Sequence, residues 1–176
     1  MTLEVIVLAA GKGTRMHSAL PKVLHELAGR ALLDHVLDTA AALEPVRTHV
    51  VCGHGAAAVR EHRGQAGDIN WVEQAEQLGT GHAVSQALPH VQPESTVLVL
   101  YGDVPLIRTE TLRALLGACV SDNLTLLTAK AINPTGYGRI VRDNAGAIRG
   151  IVEEPDATEA ERQISEINTG FMAGTT

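Results

Sequence analysis

Val5-Ile6-Val7-Leu8-Ala9-Ala10-Gly11-Lys12-Gly13-Thr14-Arg15-Met16 is the stretch on which the fold turns. Its first four residues are continuously apolar and rich in β-branched side chains, the composition of a strand buried on both faces. The run stops at small residues and glycine. Gly11 and Gly13 let the backbone approach a ligand closely, with its amides turned toward phosphate oxygens. Lys12 and Arg15 add positive charge, and Lys22 follows just past Pro21, so three of the chain's 14 basic residues fall within positions 12–22. A plain strand-to-helix connection that uses glycine only for turning stays open as a reading, but it does not require cations. The loop is not a Walker A sequence, because Gly13 follows Lys12. Nor is it a dinucleotide fingerprint, because Met16 stands where GxGxxG needs glycine.

Outward from this loop, short β-branched runs alternate with amphipathic segments. Leu32, Leu33, Val36, Leu37 and Ala40 recur at helical spacing, and Val46–Cys52 reads as a strand stopped by Gly53 and Gly55. A helix through Arg63 and a short strand over Ile69–Glu73 follow. His82–His90 reads as helical up to Pro89, and Thr96–Tyr101 is the strongest strand signal in the chain. Thr109–Val120 is predicted helical, with Thr109 as N-cap and Leu112, Leu115 and Leu116 facing inward. Leu124–Ile132 reads as a strand, and Arg139–Arg142 pairs with Ala147–Val152 in a hairpin turned by Asp143-Asn144-Ala145-Gly146. Alternation of this kind predicts an α/β fold: a mostly parallel, mixed sheet with helices on both faces and right-handed crossovers. Ligands of such sheets lie at the carboxyl ends of strands, which singles out the loop after Leu8 and the turn at Asp103.

Composition bounds the function. A chain of 176 residues suits one domain, and the 2% aromatic share leaves a core of Val, Leu, Ile and Ala. A formal net charge of −6 offers no global attraction to nucleic acid or to an anionic membrane, so an anionic ligand needs a local basic pocket. No signal peptide or membrane span is evident, which predicts a cytoplasmic location. Cys52 and Cys119 read as two buried free thiols. His49, His54 and His62 fit no zinc spacing and read as solvated or capping histidines. The final residues, Phe171 to Thr176, stop in mid-pattern after an apolar run, which predicts a chain incomplete at its C-terminal end.

Three further motifs carry chemistry. In Gln74-Ala75-Glu76-Gln77-Leu78-Gly79-Thr80-Gly81-His82, Gln74 offers a donor and an acceptor together, suited to a pyrimidine edge. The same residues also read as a helix start with surface glutamines. Tyr101-Gly102-Asp103 ends the strongest strand, where a carboxylate can hold a hard cation or simply cap a turn. Gly136-Tyr137-Gly138-Arg139, Ile151-Val152-Glu153 and Glu166-Ile167-Asn168-Thr169-Gly170 individually read as surface polar segments. Glu154, beside Glu153, has no evident role.

Leu8 to Met16 followed by Pro21-Lys22 resembles the signature loop of the sugar-nucleotide pyrophosphorylases. With the later motifs in order, the chain is similar from about Val5 to Phe171 to the uridylyltransferase half of the bacterial bifunctional N-acetylglucosamine-1-phosphate uridylyltransferase/glucosamine-1-phosphate acetyltransferases. The resemblance implies a Rossmann-like nucleotidyltransferase fold over 1–176. It implies Mg²⁺-dependent transfer of UMP from UTP to N-acetylglucosamine 1-phosphate, giving UDP-N-acetylglucosamine for peptidoglycan and lipopolysaccharide precursors. By the same resemblance Leu8, Ala9, Ala10, Gly11, Gln74, Gly79 and Thr80 contact the nucleotide, and Arg15 and Lys22 engage phosphates and assist transfer. Asp103 binds the magnesium, Tyr101 and Gly102 line the substrate site, and Gly138, Glu153 and Asn168 surround the amino sugar. The family's second metal ligand, an Asn, and its acetyltransferase β-helix, through which the whole enzymes form trimers, have no counterpart in these residues. The readings left beside this one are a cytidylyl- or guanylyltransferase, and a chain that binds a sugar nucleotide without turning it over.

Overall fold

The computed structural model describes residues 2–11, 13, 16–53, 55–64, 69–120 and 123–176. Two compact units divide the chain: residues 1–125 with 172–176, and residues 126–171.

The first unit is built on β1 (Thr2–Ala9), whose residues from Glu4 onward are all buried. Strand alternation sends Ile6 and Leu8 to one face and Val5 and Val7 to the other, so burial of all four means that both faces are covered. Parallel neighbours flank it: β4 (Arg47–Cys52) on one side, with β5 (Ile69–Glu73) beyond, and β6 (Ser95–Tyr101) on the other. Residues Met172–Thr175, the end of β10 (Glu166–Thr175), pair antiparallel with β6, so the sheet is mixed but mostly parallel, as the sequence predicts. The four parallel strands, counted along the chain, lie in the order third, second, first, fourth. The connection therefore reverses direction between β1 and β6, the switch point at which such folds open a crevice.

Helices close the unit. α1 (Leu32–Ala41) buries Leu33, Val36, Leu37 and Ala40, an i, i+3, i+4, i+7 stripe. α2 (Ala56–Arg63) buries Val59 alone, and its His62 and Arg63 reach Asp34 in the first turn of α1. α3 (Thr80–Ala87) lays the small side chains Ala83 and Ala87 on a cluster of Ile6, Leu8, Val51, Val72, Val97 and Val99. α4 (Thr109–Gly117) buries Leu112 and Leu115. Two expectations for this last helix are corrected. Arg108, extended at φ −92° and ψ 143°, is the N-cap and Thr109 is already helical; the helix ends at Gly117, where Ala118 closes the turn on the carbonyls of Ala114, Leu115 and Leu116. A hairpin of two-residue strands, β2 (Glu26–Leu27) with β3 (Arg30–Ala31), was not legible in the sequence.

Two readings of polar residues are corrected as well. His49 is not solvated: it is fully buried, with Nε2 2.6 Å from Glu4 Oε2 and Nδ1 2.9 Å from Asn70 Nδ2. Glu4 Oε1 also accepts from the Gln92 amide at 2.8 Å and the Ser95 hydroxyl at 3.3 Å. Burial alone would raise the Glu4 carboxyl, but the His49 and Gln92 hydrogen bonds outweigh it and hold it below its ordinary value. Cys52 is buried, and desolvation pushes its thiol up to about 11, whereas Cys119 is only half-buried. His54 lies outside the described residues. Among the described residues, no helix is long and apolar enough to cross a membrane.

The second unit holds β7 (Thr125–Lys130), whose Leu126–Lys130 belong here, β8 (Arg139–Arg142), β9 (Ile148–Val152), α5 (Glu159–Arg162) and the Glu166–Phe171 part of β10. β8 and β9 form the predicted hairpin; the amides of Ala145 and Ala147 donate to Asp143 Oδ1 across its turn. β10 pairs with β7 and β8. A capping box starts α5: Thr158 Oγ1 accepts from the Glu161 amide while the Glu161 carboxylate accepts from the Thr158 amide. Glu154, left without a role by the sequence, anchors the fully buried Arg139 at 2.6 Å and accepts from the Gly136 amide at 3.0 Å.

Candidate active site

At the carboxyl ends of the parallel strands, the first unit opens a cavity of about 520 Å³, within the range of small-molecule sites. Leu8 ends the buried run of β1, and Ala10 and Gly11 carry the chain out of the sheet over the opening. Tyr101 and Asp103 reach it from the end of β6, Gln74 from the end of β5, and Gly79 and Thr80 from the start of α3. Lys22 enters from the turn Lys22–Leu24. Leu8, Ala10, Gly11, Lys22, Gln74, Gly79, Thr80, Tyr101 and Asp103 thus line one cavity, although the sequence separates them by up to 95 positions.

Two of the expected residues stand behind it. Ala9 is buried as the last residue of β1. Gly102 packs its backbone against the loop, donating to Leu8 O at 2.9 Å; a Cβ there would come within 3.2 Å of Leu8 O, Val23 and Leu33. Arg15, with Lys12 and Thr14, lies outside the described residues. Gly13, expected from sequence to bring the backbone close to a ligand, lines the cavity too; Met16, Val23, Gln77 and Ala83 also line it and were given no role from sequence. Gln77 stands within a quoted motif, but nothing in its spacing marks it.

Among the described residues, an ion pair of Lys22 Nζ with Asp103 Oδ2, both side chains half-buried, brings opposite charges together inside the cavity. Gly13 makes room for it: its φ is +58°, and a Cβ would stand 2.9 Å from the Lys22 Cβ. Gln74 is buried, with Nε2 3.2 Å from Gly79 O and 3.0 Å from His82 Nδ1. The alternative reading of Gln74 as a surface glutamine is thereby excluded. α3 starts at the cavity, which its residues Thr80 and Ala83 and the preceding Gly79 line.

For a divalent cation the donor set is sparse. No group of three His, Cys, Asp or Glu side chains that could hold a metal exists among the described residues. Asp103, a single carboxylate at a strand end in an open cavity, matches the habit of Mg²⁺, which takes one or two carboxylates and completes its shell with phosphate oxygens and water. Asp103 is a carboxylate in a cavity that also holds the Lys22 cation, a donor set that fits a cation delivered with a phosphate ligand.

In the second unit Gly138, Glu153 and Asn168 meet. The Asn168 amide donates to Gly138 O at 2.8 Å, and the Glu153 carboxylate lies over Gly138, with Oε1 2.9 Å from where a Cβ would stand. Asn168 Oδ1 accepts from the Gly170 amide at 3.0 Å. The three residues expected around the amino sugar therefore form one cluster of acceptors and donors.

Comparison with known proteins bears on the family and the fold. The chain is 62% identical over 173 residues to the Bifunctional protein GlmU of Pseudomonas paraeruginosa, an alignment that takes in 98% of this chain and 38% of that protein. The chain thus spans well under half the length of the curated relative it matches. Among solved structures it superposes on the inositol-1-phosphate CTP transferase of T. maritima, with a TM-score of 0.74 at 21% identity over 99% of this chain and 71% of that one. A UDP-glucose pyrophosphorylase complexed with UDP-glucose superposes with a TM-score of 0.78 at 16% identity, over 99% and 76%. At such low identity these two establish the fold alone, a nucleotidyltransferase-like α/β sheet. Residues 5–163 match the MobA-like NTP transferase domain, and the chain belongs to that family of nucleotidyltransferases.

Proposed function

We propose that the chain transfers UMP from UTP to N-acetylglucosamine 1-phosphate, releasing pyrophosphate and forming UDP-N-acetylglucosamine. The observation that carries the reading is the cavity at the β1/β6 switch point. It combines an amide suited to a pyrimidine edge (Gln74), a glycine loop, a cation (Lys22) and a carboxylate (Asp103). High identity to GlmU over this region supports the choice of substrates.

In the proposed reaction an oxygen of the sugar 1-phosphate attacks the α-phosphorus of UTP in line. A new P–O bond forms, the bond from the α-phosphorus to the bridging oxygen breaks, and that oxygen leaves with pyrophosphate. The nucleophile is already an anion, so no general base and no covalent enzyme intermediate is needed. The protein's work is positioning and charge compensation. The backbone from Leu8 to Gly11 and the start of α3 would hold the nucleotide. Lys22, and Arg15 outside the described residues, would balance charge moving onto the leaving pyrophosphate. Asp103 would hold Mg²⁺ against the phosphates, and the metal, when bound, supplies charge neutralisation worth several kcal/mol. Glu153 and Asn168, gathered on Gly138, would receive the hydroxyl and acetamido groups of the sugar.

Pyrophosphate release from UTP, CTP, GTP and dTTP, each with N-acetylglucosamine 1-phosphate or glucose 1-phosphate and with or without Mg²⁺, tests the assignment. Release that needs UTP, the amino-sugar phosphate and Mg²⁺ together supports it. A chain that prefers CTP or GTP, or that accepts glucose 1-phosphate equally, contradicts it.

A further inference from the structure

The environment of Gln74 fixes more than its position. Its Nε2 faces two acceptor sites, Gly79 O at 3.2 Å and His82 Nδ1 at 3.0 Å. A carbonyl oxygen can only accept, so the end of the amide facing Gly79 is the NH₂ group, and its second hydrogen goes to His82. His82 Nδ1 must then be an unprotonated acceptor, which places the ring's hydrogen on Nε2. That atom lies 3.2 Å from Gln86 Nε2, and since two donors cannot pair, this tautomer requires the Gln86 amide to be turned over so that its oxygen accepts.

The relay has a rigid frame. His82 and Gln86 are four residues apart on α3, on one face of the helix. Gly79 O, which also accepts the Ala83 amide at 3.1 Å, is held by a backbone at φ +101°, ψ 179°, a conformation that only glycine adopts freely. Both hydrogens of the Gln74 amide are therefore committed within the protein. What remains for the cavity that Gln74 lines is its Oε1, an acceptor.

We propose that His82, backed by Gln86, is a specificity-determining positioning residue, which locks the Gln74 amide so that it meets the base only as an acceptor. Such a group pairs with the ring N3–H of uracil or thymine and opposes cytosine, whose N3 is itself an acceptor. The inference rests on the reading that the base sits at Gln74. It adds that the choice between pyrimidines is made by a histidine tautomer on α3, one step removed from the ligand. Without the ring, Gly79 O alone orients the amide, which then turns over more readily to offer NH₂ to cytosine.

Calorimetric titration of UTP and CTP into the wild-type chain and into His82→Ala, His82→Asn, Gln86→Ala and Gln74→Ala tests it, with circular dichroism confirming that each variant is folded. His82→Ala is expected to cut the preference for UTP over CTP by about tenfold, the loss of one hydrogen-bonding constraint at a desolvated amide. Asn at 82, whose Oδ1 occupies the acceptor position of Nδ1, restores most of it. Gln86→Ala moves the preference in the same direction by less, and it carries the test should His82→Ala fail to fold. A wild-type UTP/CTP ratio in both His82→Ala and Gln86→Ala, while Gln74→Ala loses UTP, overturns the inference and leaves the base at Gln74. Unchanged UTP affinity in Gln74→Ala overturns the underlying placement of the base, and the inference with it.

Discussion

At the scale of single residues the proposed chemistry rests on Lys22 and Asp103, which form an ion pair inside the cavity. The pair is half-exposed, so its own contribution to stability is under about 1 kcal/mol. Asp103→Asn, which keeps the shape and removes the charge, should therefore lower turnover by about 100-fold or more while leaving the thermal midpoint nearly unchanged. Steady-state rates and a melting curve check both halves, and a stability loss that accounts for the rate would contradict the assignment. Gly138→Ala acts on the other substrate. The new Cβ would stand 2.9 Å from Glu153 Oε1 and from Ile151, so the carboxylate must shift. The KM for the sugar phosphate should rise about tenfold with that for UTP unchanged. Asp103 and Gln74 were legible because each sits at the end of a strand that the sequence marks. Glu154 and His82 were not, since their roles come from partners, Arg139 and Gln74, that no local pattern associates with them.

Elements are tied together by a forked ion pair and by a buried carboxylate–imidazole hydrogen bond. Arg142, at the end of β8, grips Glu166, at the start of β10, through two hydrogen bonds of 2.8 and 2.7 Å. This fork first, and then the Thr128 hydrogen bond and Lys130 charge working against burial, hold the Glu166 carboxyl at about 2 against an ordinary 4.5. A depressed carboxyl contributes stability that is complete above pH 4.5 and is lost as pH falls toward 2. Glu166→Gln should therefore show a flatter stability curve than the wild type over that window; parallel curves from urea unfolding at each pH would refute the role. Glu4 and His49 bind β1 to β4 beneath the sheet, and His49→Leu would leave the Glu4 charge buried without its partner. A loss of about 3–5 kcal/mol in urea unfolding is expected, and a loss below about 1 kcal/mol would contradict it. The strands of the parallel sheet could be read from sequence because burial on both faces leaves continuous apolar runs. β2 and β3 could not, because two residues carry no periodicity, and His49 looked solvated because its burial depends on a carboxylate 45 positions away.

The whole molecule is an acidic protein, formal charge −6, that places the cation of Lys22 in the cavity at the carboxyl end of its parallel strands. Strand order places that end at a switch point, and the loop after β1, the turn after β6 and the start of α3 converge there from distant parts of the chain. That convergence was readable in outline, since alternating strands and helices dictate where ligands bind. The side chains completing the wall, Val23, Gln77 and Ala83, were not, because only the packing of α3 and of the turn at Lys22 brings them in. The central claim is that this cavity joins a nucleotide to a sugar phosphate. The most direct test is phosphorus NMR of the chain incubated with UTP, N-acetylglucosamine 1-phosphate and Mg²⁺. The account predicts paired growth of a sugar-diphosphate signal and free pyrophosphate at the expense of both substrates. Orthophosphate alone, or no change in either substrate, would contradict it.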